Sequence, residues 1–204
     1  MLTPRLPSSD QMDAFVRRVS ATGYNTPLGL TAAANPGRWF VDDVEAILGV
    51  GEDAFDAAAA ALRAWDQMDL PWFRLHRPDA TPLETGVVAA YSTRVCGLWM
   101  SYACRIVSVI DDVDASGLRR FGFVYATIGH HAVQGEERFL VTYRPSTGEV
   151  HGSIRAVSRP CTWYTWVGLP VARRAQRLFK PEALAALAGS VRRRLDQERS
   201  TRPR

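Results

Sequence analysis

Residues 121–160 read FGFVYATIGHHAVQGEERFLVTYRPSTGEVHGSIRAVSRP, and their periodicity decides the fold class. Phe121, Phe123 and Tyr125 occupy alternate positions, so on an extended chain their rings share one face. Phe139, Val141 and Tyr143 repeat the pattern one strand later. Ser146, Thr147 and Gly148 then have the composition of a tight turn into a third alternating run, 150–157. A sheet with one aromatic face needs a cover, and either a helix or a bound ligand can supply it.

Working outward, the same alternation predicts strands at 72–76, 86–92, 98–110, 119–127, 137–143 and 150–157, joined by turn-rich links at 78–82, 111–117 and 145–148. Short strands with local connections argue for one curved antiparallel sheet. The clearest helix is predicted at 52–68. Phe55, Ala58, Ala59, Leu62 and Trp65 form its apolar stripe, and Glu52 and Asp53 suit its positive N-terminal end. A shorter helix is predicted at 11–20, N-capped by Asp10, after a loose stretch over 1–9. Residues 39–48 are ambiguous: Phe40, Val44, Ile47 and Leu48 fit a helical stripe that Asp42, Asp43 and Glu45 interrupt. Taking them as a strand, the order is strand, helix, six strands, then a helix over 165–194 that Pro181 either kinks or restarts. This is an α+β chain of the helix-grip kind, a curved antiparallel β-sheet wrapped around a long C-terminal α-helix. Such a sheet and helix leave an apolar cavity between them. The expected division is an N-terminal extension over 1–23, a single domain over 24–198 and a basic tail over 199–204.

An apolar content of 47% supports a sizeable core, and no run approaches the roughly 20 apolar residues that span a bilayer. The N-terminus lacks the apolar centre of a secretory signal, so a cytoplasmic protein is expected. Three cysteines without CxxC spacing argue against a disulfide framework or structural zinc, and Cys104 reads as a small buried hydrophobe. The net charge of +4 is concentrated in C-terminal arginines, from Arg173 to Arg204. The aromatic residues lie in the strands and not among those arginines, so no nucleic-acid partner is expected.

The stretch Tyr125–Phe139 resembles the signature Y-G-T-L-x-G-H-x-x-x-G-E-E-x-F of uncharacterised protein family 0548. Leu48-Gly49-x-Gly51, Cys104-Arg105-Ile106-Val107, Gly122-Phe123 and Ser158-Arg159-Pro160 match further. His131 takes the signature histidine position, His130 and Ala126 replace glycines, and Asp43 stands where a histidine is expected. The family has no established general activity. It is similar to the START and plant-allergen helix-grip proteins, which implies the fold deduced above.

His131 and His130 follow the aromatic strand, and a histidine can exchange a proton near neutral pH. Alternation puts Glu137 on the face of Phe139 and turns Glu136 away from it. Arg159 can pair with either acid or bind a ligand oxygen. These four, His131, His130, Glu137 and Arg159, are the candidate catalytic residues. Phe121, Phe123, Tyr125, Phe139, Tyr143, Trp163 and Trp166 are the candidate ligand-binding residues. The alternatives stay open: the histidine and glutamate can simply fasten the loop, Arg159 can be a structural ion pair, and the rings can all be core. Walker, dinucleotide, zinc-protease and serine-hydrolase motifs are absent, and neither a metal nor a cofactor is expected. The expected partner is a bulky hydrophobic small molecule, with the oligomeric state left open, a homodimer included. The expected activity is a cofactor-independent cyclase, isomerase or dehydratase acting on a natural-product-type intermediate. The alternative is a non-catalytic carrier or sensor of a lipid-like or polyketide-like ligand.

Overall fold

A computed structural model describes residues 1–95, 97–129, 131, 133–161 and 169–201, with backbone alone at 78 and 169–177. Its sheet is antiparallel throughout. The strands are β1 (Leu2–Thr3), β2 (Phe40–Val50), β3 (Phe73–Leu75), β4 (Val88–Val95), β5 (Leu98–Val113), β6 (Arg119–Thr127), β7 (Val133–Arg144) and β8 (Glu149–Pro160). They run in the order β2-β8-β7-β6-β5-β4-β3, with β1 paired to β5. The helices are α1 (Ser9–Ser20), α2 (Glu52–Arg63) and α3 (Leu169–Thr201). The sheet curls, and α3 lies against α2, β2 and β8, which is the helix-grip arrangement.

Period two divides the side chains between two faces. On the concave face Phe121, Phe123, Phe139, Val141 and Ile154 pack against Leu62 and Trp65 and against Leu184, Leu187 and Val191 of α3. Trp65 meets Phe123 edge-on at 5.0 Å, and Phe123 stacks on Phe139 at 5.1 Å. Each such side chain contributes roughly 1.5–3 kcal/mol by leaving water. On the convex face Met12 and Phe15 of α1 cover Ala90, Ala103 and Ile128.

The ambiguous stretch 39–48 resolves as the strand taken for the element order: Phe40–Val50 form β2, whose acids stand at a sheet edge. Several other expectations need correction. The helix expected over 52–68 stops at Arg63, because Trp65 adopts a left-handed backbone (φ 60°) and the chain tightens into a 3₁₀ turn, Asp66–Met68. That turn aims the Trp65 indole N–H at the Thr81 carbonyl, 2.7 Å away. The first residues are not loose: Leu2 and Thr3 pair with Met100 and Trp99. The cap of α1 is Ser8, which accepts from the Gln11 N–H while the Gln11 side chain accepts from the Ser8 N–H. β7 begins at Val133, so Gly135 lies within the strand and not at a loop end. A side chain there would come 2.2 Å from the Val157 carbonyl oxygen. Pro181 sits inside one continuous helix. No helix among the described residues is long and apolar enough to cross a membrane.

Candidate functional site

Strand register assembles a polar row on an otherwise apolar face. Asp42 of β2 opposes Ala156, Ala156 opposes Glu137, and Glu137 opposes Tyr125, so Asp42, Glu137 and Tyr125 lie along one line across four strands. Lys180 of α3, only 3% exposed, reaches this row with Nζ 3.5 Å from Asp42 Oδ2. The Tyr125 hydroxyl donates to Glu137 Oε2 at 2.6 Å. Burial pushes the Glu137 carboxyl above the usual carboxylate range, against the opposing pull of Lys180 and of the Tyr125 bond. Burial likewise raises the Tyr125 phenol, and the Glu137 charge adds to it.

A second group adjoins the row across β4 and β5. Tyr91 opposes Tyr102, and Ala89 opposes Cys104. His131 enters from the β6–β7 connection. Its Nδ1 accepts the Val133 backbone N–H at 3.2 Å, its Nε2 lies 3.0 Å from the Tyr91 hydroxyl, and the Tyr102 ring is 4.5 Å from its own. Its carbonyl accepts from the Cys161 thiol at 3.0 Å and the Asn25 amide at 3.4 Å. Burial pushes the imidazole down to about 4, so it is neutral at pH 7. Burial pushes the Cys104 thiol far up, which keeps it protonated and a poor nucleophile.

The chemistry available is that of neutral proton donors and acceptors in a poorly hydrated place: a carboxyl whose proton is held into a higher pH range, phenols and an uncharged imidazole. No group of three or more metal-binding side chains occurs among the described residues.

The sequence candidates separate in space. Glu137, His131 and Tyr125 come together on the concave side. Phe121, Phe123 and Phe139 are buried there too, but Phe121 lies under the Arg63 guanidinium at 3.8 Å and Phe123 meets Trp65, so the end of α2 and the turn after it cover them. Tyr143 is half-buried at the edge of the same core. Arg159 needs correction. It opposes Gln134, which shares the convex face with Glu136, so it lies across the sheet from Glu137. There it sits 4.3 Å from the Trp39 ring and, with the Gln134 amide oriented by its partners, donates to that amide oxygen. Glu136 does not meet it either: this buried carboxylate accepts the Gly29 N–H at 2.7 Å and the Thr31 N–H at 3.0 Å. His130, Trp163 and Trp166 lie outside the described residues. Sequence reasoning passed over Tyr91, Tyr102, Asp42 and Lys180. Alternation through 86–92 and 98–110 pairs such residues onto faces, but it does not say which face is concave.

A family model described as a domain of unknown function, DUF1990, matches residues 24–186. The chain belongs to the DUF1990 family. UPF0548 proteins are similar to it. The one from Dictyostelium discoideum is 32% identical over 145 residues, 68% of this chain and 67% of that protein. The one from Deinococcus radiodurans is 31% identical over 194 residues, 87% and 92% of the two chains. Among solved structures, a Helicobacter pylori hypothetical protein aligns at TM-score 0.47 and 10% identity, over 83% of this chain and 97% of its own. Ara h 8.0201 aligns at 0.44 and 12%, over 75% and 97%. A Thalictrum norcoclaurine synthase point mutant with a transition-state analogue aligns at 0.44 and 10%, over 79% and 99%. These likenesses say nothing of activity. In this DUF1990 chain the stretch that carries the family resemblance serves both faces of the sheet: Tyr125, His131 and Glu137 inward, Glu136 outward.

Proposed function

We propose that the protein binds a bulky hydrophobic small molecule between the concave sheet and α3. It processes that molecule without a cofactor, as a cyclase, isomerase or dehydratase of a natural-product-type intermediate. The observation that supports this most is Glu137, a half-buried carboxyl bonded to Tyr125 and held protonated to higher pH, beside the aromatic and aliphatic core of the concave face. A polar group in such a place costs stability unless it is hydrogen-bonded or paired, and carboxyls perturbed by burial beside a specific charge cluster at functional sites. Glu137 gives its proton to one atom of the ligand and takes one back from another, so that it ends protonated as it began, while a phenol hydroxyl not bonded to it bonds the oxygen on which charge develops. No electrons leave or enter the system, so no redox partner is needed.

A carrier is the second reading. It is favoured by an imidazole whose two nitrogens are both engaged. Native mass spectrometry of the purified protein, incubated with an extract of its host, tests both. A captured apolar molecule that emerges altered, and emerges unaltered from Glu137→Gln, supports the enzyme. Capture without alteration supports the carrier. No capture across a broad extract overturns ligand binding altogether.

A further inference from the structure

His131 is the residue a sequence reader chooses as the base, yet its geometry leaves it nothing to accept with. The Val133 backbone N–H can only donate, so Nδ1 must carry the lone pair. In a neutral ring Nε2 then carries the hydrogen, and that hydrogen points at the Tyr91 oxygen 3.0 Å away. The bond fixes the direction of the Tyr91 hydroxyl: its oxygen receives from His131, and its own hydrogen is turned elsewhere. The Cys104 sulfur, on the facing strand β5, is a neighbouring acceptor. A thiol sulfur is a weak acceptor, and an oxygen arriving on a ligand is a better one. The Tyr91 ring itself is held still, stacked on Phe73 at 4.8 Å and 6.0 Å from Tyr102. Its partner is anchored in turn by Asn25 and Cys161 on the His131 carbonyl.

We propose that Tyr91 donates a hydrogen bond to a carbonyl or hydroxyl oxygen on an otherwise apolar ligand, and that His131 is the positioning residue that aims it. This rests on the ligand-binding reading above and deepens it. The ligand class is an apolar ketone, aldehyde or alcohol, met at the Tyr91 end of the concave face, with Glu137 and Tyr125 further along the same surface.

Prodan, an apolar naphthalene ketone, is a suitable probe because its emission moves to longer wavelength when its carbonyl accepts a hydrogen bond. Bound to the wild-type protein it should show the hydrogen-bonded emission. Tyr91→Phe should shift that emission to the blue and weaken binding about 2- to 10-fold, the worth of one hydrogen bond. His131→Ala should give a partial blue shift, and His131→Gln, which keeps a donor toward Tyr91, should restore the wild-type spectrum. Nitrogen NMR of the wild-type protein supplies a measurement that needs no variant: His131 should carry its hydrogen on Nε2. Failure of prodan to bind overturns the ligand-binding reading and this inference with it. Binding with an emission indifferent to Tyr91→Phe, or a ring protonated on Nδ1, overturns the inference alone.

Discussion

His131 and Glu137 sit on one face and titrate in opposite senses, which makes their roles separable by pH. The folded protein holds His131 down to about 4 from an ordinary value of 6.5, so between those limits the unfolded chain binds more protons. Stability from this group is full above pH 6.5 and is lost as pH falls toward 4. Glu137 is raised, so the folded state takes its proton first, and the stability it contributes is lost as pH rises through that raised value. In the wild type the two oppose each other. Urea denaturation of His131→Gln beside wild type isolates the histidine: across pH 6.5 to 4 the wild type should lose about 2–3 kcal/mol relative to the variant. Glu137→Gln should differ from wild type with the opposite slope. Glu136, one residue away, is a different case. It is 3% exposed on the convex face and supplies acceptors to Gly29 and Thr31. Glu136→Ala leaves those N–H groups unpaired and should cost about 2–4 kcal/mol by chemical denaturation, with Glu136→Gln recovering part of it. This division between adjacent acids was legible in the sequence, because alternation alone assigns them to opposite faces. The position of Arg159 was not. Its face depends on which residue of β7 it opposes, and register across strands is set by pairing, not by local pattern.

Elements show the same contrast between local and distant causes. β6 coincides with its expected span because a strongly alternating run ends at glycine on either side of it, at Gly117 and Gly129. The end of α2 was misjudged because its apolar stripe continues through Trp65, while the left-handed Trp65 backbone ends the helix and brings its indole to the Thr81 carbonyl, a tertiary bond that local pattern does not encode. β7 starts earlier than expected because Gly135, which looks like a turn residue, is required by the close approach of β8. Gly135→Ala should therefore destabilise by about 2–4 kcal/mol or prevent folding, as read by soluble yield and thermal denaturation. α1 is fastened to the chain just after β3 by one carboxylate: Asp13 bonds His76 at 2.6 Å and Arg77 at 2.6 and 2.9 Å. Asp13→Ala should raise amide exchange within α1, around Met12 and Phe15, and leave the protection of β6 and β7 unchanged. Equal loosening of all elements would mean that α1 is part of the global unit.

At the scale of the molecule, α3 decides whether the concave face closes. It is held by apolar contacts from Leu184, Leu187 and Val191, by Trp72 donating to Glu182 at 2.7 Å, and by Ser190 and Arg194 bonding Asp66 at 2.5 and 3.0 Å. Lys180 is the grip nearest the candidate site, and its charge acts on both Asp42 and Glu137. Burying a charge costs several kcal/mol, and this charge is compensated only while its partners stay in place. Lys180→Met should thus cost about 3–5 kcal/mol, because it removes the ammonium that meets the Asp42 carboxylate beneath the helix, and Asp42→Asn should also destabilise. The double variant should recover most of the loss, since it removes both charges together. A Lys180→Met protein that still folds should also hold Glu137 protonated to higher pH, because the cation that favours its ionised form is gone. Denaturation of the four proteins in parallel checks the coupling, and carbon NMR of the Glu137 carboxyl checks the shift. Additive losses would mean that Lys180 and Asp42 are not coupled in holding α3. The Lys180–Asp42 pair would then belong to the chemistry of the concave face and not to its closure.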